Sequence, residues 1–227
     1  MPTIDIAKDG VRELNQRLQS LAVNTNETSW EAINPHGAHA VAVGLMAPIL
    51  VEIKGHVGYY CAGMNKEATV IVEGHASQGV GENIMSGMVR VKGNASMATG
   101  ASGHGGMVVV EGDTSSRCGI SMKGVDIVVG GSVGHMSGFM AQAGNLVICG
   151  DAGADLGDSI YEAVIYVGGD VKNLGSDCIE KDMTPEHVAK LTELLDRAEI
   201  KADVTKFRRF GSARKLYNFK IDNAAAY

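Results

Sequence analysis

Aliphatic residues return along this chain with a period of 19 residues. Val51, Val70, Val89, Val108, Ile127, Leu146 and Ile165 form one column, and Ile53, Val72, Val91, Val110, Val129, Ile148 and Val167 a second, two positions further on. The position between them varies freely: Glu52, Ile71, Arg90, Val109, Val128, Val147 and Tyr166. Residues two apart on a strand point to the same side, so the aliphatic pair predicts an inward face and the variable column an outward one. Each strand pattern ends in a glycine, at Gly55, Gly74, Gly93, Gly112, Gly131, Gly150 and Gly169. A polar residue follows each: His56, His75, Asn94, Asp113, Ser132, Asp151 and Asp170. A second glycine column comprises Gly81, Gly100, Gly119, Gly138 and Gly157. Both columns read as corners, where the backbone takes a positive φ or passes close to a neighbour.

A strict short period, an inward aliphatic ladder and corner glycines predict an all-β core: a right-handed parallel β-helix of about seven rungs stacked ~4.8 Å apart. Such a ladder has two raw ends that need covers. Over residues 9–22, Val11, Leu14, Leu18 and Leu21 share a helical face behind Asp9 as N-cap. Thr184-Pro185 opens a second helix running to about Ile200, with Val188, Leu191, Leu194, Leu195 and Ala198 as its apolar stripe. The expected organisation is an N-terminal helical cap and entry segment (1–35), the glycine-repeat β-helix (36–180), and a C-terminal helix with a basic, aromatic docking tail (181–227). Residues 36–50 read as a degenerate opening rung. Phe207, Phe210, Tyr217 and Phe219, set among Lys201, Lys206, Arg208, Arg209, Arg214, Lys215 and Lys220, predict that the tail docks.

Composition narrows the class. The 227 residues include 30 Gly but only 4 Pro, which suits many tight turns rather than collagen or a linker. A net charge of −6 argues against general nucleic-acid binding. Neither a membrane-length apolar run nor a signal-peptide pattern is present, so a cytoplasmic location is expected. Cys61, Cys118, Cys149 and Cys178 contain no CxxC pair and are expected to be reduced.

Residues 98–106, ATGASGHGG, hold four glycines and could cradle a phosphate through backbone N–H groups. A helix should then follow, yet the next residues, MVVVEGD, are strand-like, so the stretch reads as a corner of the repeat. Cys61 and Cys118 share a column three rungs apart, about 14 Å, too far for a disulfide or a common metal. His56 and His75 are vertical neighbours, a pair that can hold a metal or move protons, but their column is one of turn-polar residues. Lys54, Glu73, Lys92 and Glu111 alternate in sign and read as a structural charge ladder. Arg117, Asp155, Asp158, His104 and His135 are candidate partner contacts on corner sections, and Met97, Met122, Met136 and Met140 offer adaptable surface there. The apolar outer positions Val109, Val128 and Val147 predict a face covered by another chain. No nucleophile, base and orienting group fall together, so the sequence assigns no catalytic, cofactor-binding or metal residue to this chain.

The rungs GHASQGVGENIMSGMVRVKG and GGSVGHMSGFMAQAGNLVICGDAGADLGDSIYEAVIYVGGD resemble the glycine-repeat (GXGXG) domain at the C-terminal end of the glutamate synthase large subunit. A related domain forms one of the subunits of formylmethanofuran dehydrogenase. Asn24-Thr25-Asn26 resembles the family's entry segment and KLYNFKID its end, so the likeness spans nearly the whole chain. Because the domain stands alone, with SWEAINPHGAHAVAVG ahead of the repeat, it looks closest to the small, GlxC-type subunits of N-methylglutamate synthase. The resemblance implies a hetero-oligomer that makes N-methylglutamate from methylamine and glutamate with release of ammonia. It implies an amidotransferase-like partner and a synthase-like partner carrying FMN, braced by this non-catalytic scaffold. A scaffold for glutamate synthase itself, or for a formylmethanofuran-type dehydrogenase, is the alternative. A free-standing β-helix enzyme acting on a polysaccharide needs carboxylates clustered on one outer face, and here they are scattered or paired with lysines.

Overall fold

The two aliphatic columns form the wall of a parallel β-solenoid in the computed structural model, which describes residues 1–214. Its strands are β1 (Thr3–Asp5), β2 (Ser29–Ile33), β3 (Leu50–Lys54), β4 (Thr69–Val72), β5 (Met88–Val91), β6 (Met107–Val110), β7 (Lys123–Val129), β8 (Ala143–Ile148) and β9 (Val164–Val167). Each pairs in parallel with the next, and from β3 to β9 the register places every residue of the aliphatic columns beside its equivalent 19 positions on. Both columns are fully buried. A third inward column, Cys61, Val80, Thr99, Cys118, Ser137 and Leu156, lines the opposite wall, and its hydroxyls are absorbed locally: Thr99 donates to the Ser96 carbonyl and Ser137 to that of Gly134.

The first rung begins earlier than expected. Its strand is β2, which sets Trp30 over Val51 and Ala32 over Ile53, so the step into the repeat is longer than 19 residues and escapes the periodicity. Residues 36–49 form only the irregular corner of that rung. The expected helix over 9–22 is two: α1 (Ile6–Asp9) and α2 (Val11–Gln19), divided by Gly10 at φ 84°. Asp9 is therefore not an N-cap. Asp5 caps α1 by accepting from the Ala7 N–H, while Asp9 closes the turn by accepting from the Asp5 N–H. The α2 helix covers the first end of the solenoid with buried Leu14 and Leu18, and Asn15 and Gln19 bond the carbonyls of Ala40 and Val43.

The C-terminal helix α3 (Pro185–Arg197) starts where the sequence placed it, with Thr184 at the N-cap and Pro185 in the first turn. It does not cap the end of the ladder. Leu191, Leu194, Leu195, Ala198 and Phe207 lie on the outer face, against Val109, Val128, Val147 and Tyr166. The outer apolar strip is therefore covered by the chain's own helix, and the expectation of a second chain there is corrected. The far end is closed by β11 (Arg208–Ser212), which runs antiparallel to β9 and carries β10 (Cys178–Lys181) on its other edge. Phe210 of β11 is buried in the inner core. The expected docking of Phe207 and Phe210 is thus met, whereas Lys215, Tyr217, Phe219 and Lys220 lie outside the described residues.

Candidate functional site

The corner glycines and the polar residues after them form one device. Each polar side chain accepts the backbone N–H of its counterpart one rung further on. His56 Nδ1 takes the His75 N–H at 2.9 Å, His75 Nδ1 that of Asn94 at 2.8 Å, and Asn94 Oδ1 that of Asp113 at 3.0 Å. Asp113 then takes Ser132 at 2.7 Å, Ser132 takes Asp151 at 2.9 Å, and Asp151 takes Asp170 at 2.8 Å. The glycine one rung up makes room for this reach: a Cβ at Gly131 would stand 2.1 Å from Asp113 Oδ1. The first glycine column thus serves close approach, and the second serves backbone sign, as at Gly100 with φ 65°.

The imidazoles of His56 and His75 stack with centroids 4.9 Å apart, as neighbours on the repeat should. Their Nδ1 atoms are engaged as acceptors, which puts the proton on Nε2 and removes one of the two nitrogens from any other task. Among the described residues, no group of three or more His, Cys, Asp or Glu side chains is arranged to hold a metal ion. The loop ATGASGHGG also directs its donors inward to the fold. The N–H groups of Ala98 and Ser102 reach the Ser116 and Ile120 carbonyls of the rung above, and those of Gly100 and His104 reach Val80 and Ile84 below. A phosphate cradle needs these donors converging on open space, so the corner reading holds.

Burial pushes the thiols of Cys61 and Cys118 up to about 12 and those of Cys149 and Cys178 to about 11, so none is a poised nucleophile. The charge ladder is kept only in part. Glu73 lies 3.0 Å from Lys92 and 4.0 Å from Lys54, but Glu111 turns to Arg90 at 3.0 Å. Arg90 is an outward residue that α3 buries, and its other amino group donates to the Ala198 carbonyl. Tyr166, further along the same column, meets His187 Nδ1 at 2.8 Å, and burial pushes its phenol up to about 12.

Two of the five candidate partner contacts, His135 and Asp155, meet through their side chains, and Arg117 adjoins them through its backbone. The Arg117 N–H donates to the His135 carbonyl, and His135 Nδ1 lies 3.3 Å from an Asp155 carboxylate oxygen. Sequence reading placed no carboxylate beside His135, because the pairing skips 20 residues, one more than the repeat. Asp158 is occupied structurally, accepting the Ser176 N–H at 3.1 Å and the Ser159 hydroxyl at 2.8 Å. His104 stands apart, on an apolar dent with Met64, Asn83 and Met85. Of the corner methionines, Met122 is core, whereas Met97 and Met140 are exposed.

One concave feature went unread in the sequence. Tyr59, Tyr60, Gln78, Gly79, Glu82, Met97 and Ala98 enclose a pocket of about 140 Å³. It exists because Gly79 and Ala98 are small in a corner column that carries Tyr60 on one side and Arg117 on the other. Burial raises the Glu82 carboxyl above the usual carboxylate range.

No protein-family model matches this chain. Along its whole length, 64% identical over 229 residues and covering 100% of both chains, it is similar to Protein GlxC of Rhizobium meliloti (strain 1021). No helix among the described residues is long and apolar enough to cross a membrane.

Proposed function

Since the chain belongs to the GlxC family, we propose that it is a non-catalytic structural subunit of a glutamate synthase-like complex, one that makes N-methylglutamate from methylamine and L-glutamate and releases ammonia. The observation that carries this reading is the fate of the polar corner residues. From His56 to Asp151 each side chain is used as acceptor for the next rung, which leaves a rigid prism rather than an acid–base set. A fully buried, close-packed aliphatic ladder resists deformation and so holds position well, the property a brace between two enzyme centres requires. The cofactor, FMN, belongs to a synthase-like partner in this reading, and an amidotransferase-like partner prepares the amine. The exposed cluster of Arg117, His135 and Asp155 and the dent at His104 are the faces assigned to those partners, with Asp158 holding the turn beside them.

Reconstitution tests it. Purified alone, the chain is expected to form no N-methylglutamate from methylamine and glutamate, and the two partners are expected to lose activity when it is withheld. Turnover by the isolated chain, or full activity of the partners without it, contradicts the scaffold role.

A further inference from the structure

The pocket at Glu82 is not used by the proposal above, and its chemistry is specific. The half-buried Glu82 carboxylate forms no hydrogen bond or ion pair with any described residue, although a carboxylate drawn partly out of water gains from one. Its Oε2 folds over Gly79, 2.8 Å from where a Cβ would stand, so the missing side chain of Gly79 creates the space in which the charge sits. The walls are aromatic and thioether: Tyr59, Tyr60 and Met97. Tyr59 is 47% exposed, but its ring is braced by His39, stacked at 4.1 Å between centroids. His39 is itself fixed, because its Nδ1 accepts the Tyr59 N–H at 3.1 Å.

From this geometry we infer that the pocket binds an organic cation, an alkylammonium or guanidinium head group, between the Glu82 carboxylate and the faces of Tyr59 and Tyr60. The charge excludes an anion. A single carboxylate is too few ligands for a metal ion, which takes four to eight donors. An uncharged apolar group would leave the carboxylate unpaired in a drier site, whereas a cation satisfies it and is attracted to the ring faces as well. The volume, about 140 Å³, suits a head group rather than a whole cofactor. Such a head group comes either as a free small amine or as a lysine or arginine side chain presented by a partner. The rigid rungs on both sides preorganise the site for either.

The test is an NMR titration of the full chain, isotope-labelled, with methylammonium chloride and separately with N-acetyl-lysine methylamide, each against sodium chloride at matched ionic strength. Saturable shifts are expected at residues 59–60, 78–82 and 97–98, with an affinity on the order of 1 mM for these small probes. Glu82→Gln, which keeps the shape, should weaken them by about tenfold or more. Tyr59→Leu should weaken them by a few-fold through loss of the ring face. Tighter binding of the lysine derivative assigns the site to a partner's side chain, and tighter binding of methylammonium assigns it to a free amine. Shifts no larger than with sodium chloride, or undiminished binding by Glu82→Gln, overturn the inference. Because the readout is binding by the isolated chain, either result stands whether or not the chain acts as a scaffold in a larger complex.

Discussion

The guanidinium of Arg90 donates a 2.7 Å hydrogen bond to the carbonyl of Ala198, 108 residues further along the chain. Ala198 follows the last residue of α3, where helix carbonyls lack intrahelical partners and carry the negative end of the dipole. One buried cation thus fixes the helix end on the solenoid, while Glu111, 3.0 Å away, holds the cation.

Arg90→Met should therefore loosen α3 without disturbing the inner ladder. The loss of a charge-assisted bond is expected to cost about 1.5–3 kcal/mol. Hydrogen exchange checks it: the α3 amides should exchange faster while those of β4–β8 stay protected, and unchanged α3 protection would contradict the anchoring role.

The corner device predicts non-additivity between two residues on adjacent rungs. Asp113→Ala strips the Ser132 N–H of its acceptor, and Gly131→Ala drives a Cβ onto Asp113 Oδ1, each at about 1–3 kcal/mol. With Asp113 shortened, the closest obstacle to the added methyl is gone and only the Gly112 carbonyl oxygen, 2.9 Å away, still crowds it. Denaturant melts of the four proteins in the cycle should show the double variant less destabilised than the sum by about 1 kcal/mol. Strict additivity would mean that glycine and acceptor are independent.

Just past α3, Glu199 adopts φ 54°, a left-handed conformation that glycine takes without cost. The Ile200 N–H closes this turn onto the Leu195 carbonyl at 3.0 Å. Since the Glu199 side chain lies 3.7 Å from Arg90 but is 82% exposed, little is lost with it. Glu199→Gly is expected to stabilise the protein by roughly 1 kcal/mol, read as a rise of a few degrees in Tm.

The buried thiols give the protein an alkaline limit. Cys61 and Cys118 titrate near 9.0 when exposed and at about 12 in the fold, because burial penalises the thiolate. The unfolded chain therefore releases these protons first. Stability is full below pH 9 and falls as pH rises toward 12. Replacing both by Val, the residue Val80 already supplies in that column, should flatten the decline between those limits. An equally steep decline in the double variant would place the alkaline sensitivity elsewhere.

How legible this was depends on the kind of contact. Columns whose contacts repeat every 19 residues, such as Val51 to Ile165, were plain in the sequence, because each neighbour has the same chemistry at a fixed spacing. The polar column was visible too, but not its use, since nothing in a one-dimensional pattern says that His56 reaches the backbone of His75. Contacts that break the period were missed: Trp30 over Val51, Arg90 to Ala198, and His135 beside Asp155. The outer valines were correctly read as covered and given the wrong cover. An amphipathic helix can satisfy an end or a side equally well, and only the match of Leu191, Leu194 and Leu195 to Val128 and Val147 decides it. The Glu82 pocket was invisible because it is made by the smallness of Gly79 and Ala98, an absence that no motif records.

The central claim, a scaffold within a flavin-bearing complex, is met most directly by affinity purification of this chain from its own cells, with mass spectrometry of the co-eluting proteins and an absorbance scan. The account predicts a yellow complex holding amidotransferase-like and synthase-like subunits in fixed ratio with this chain. A colourless chain eluting alone would contradict it.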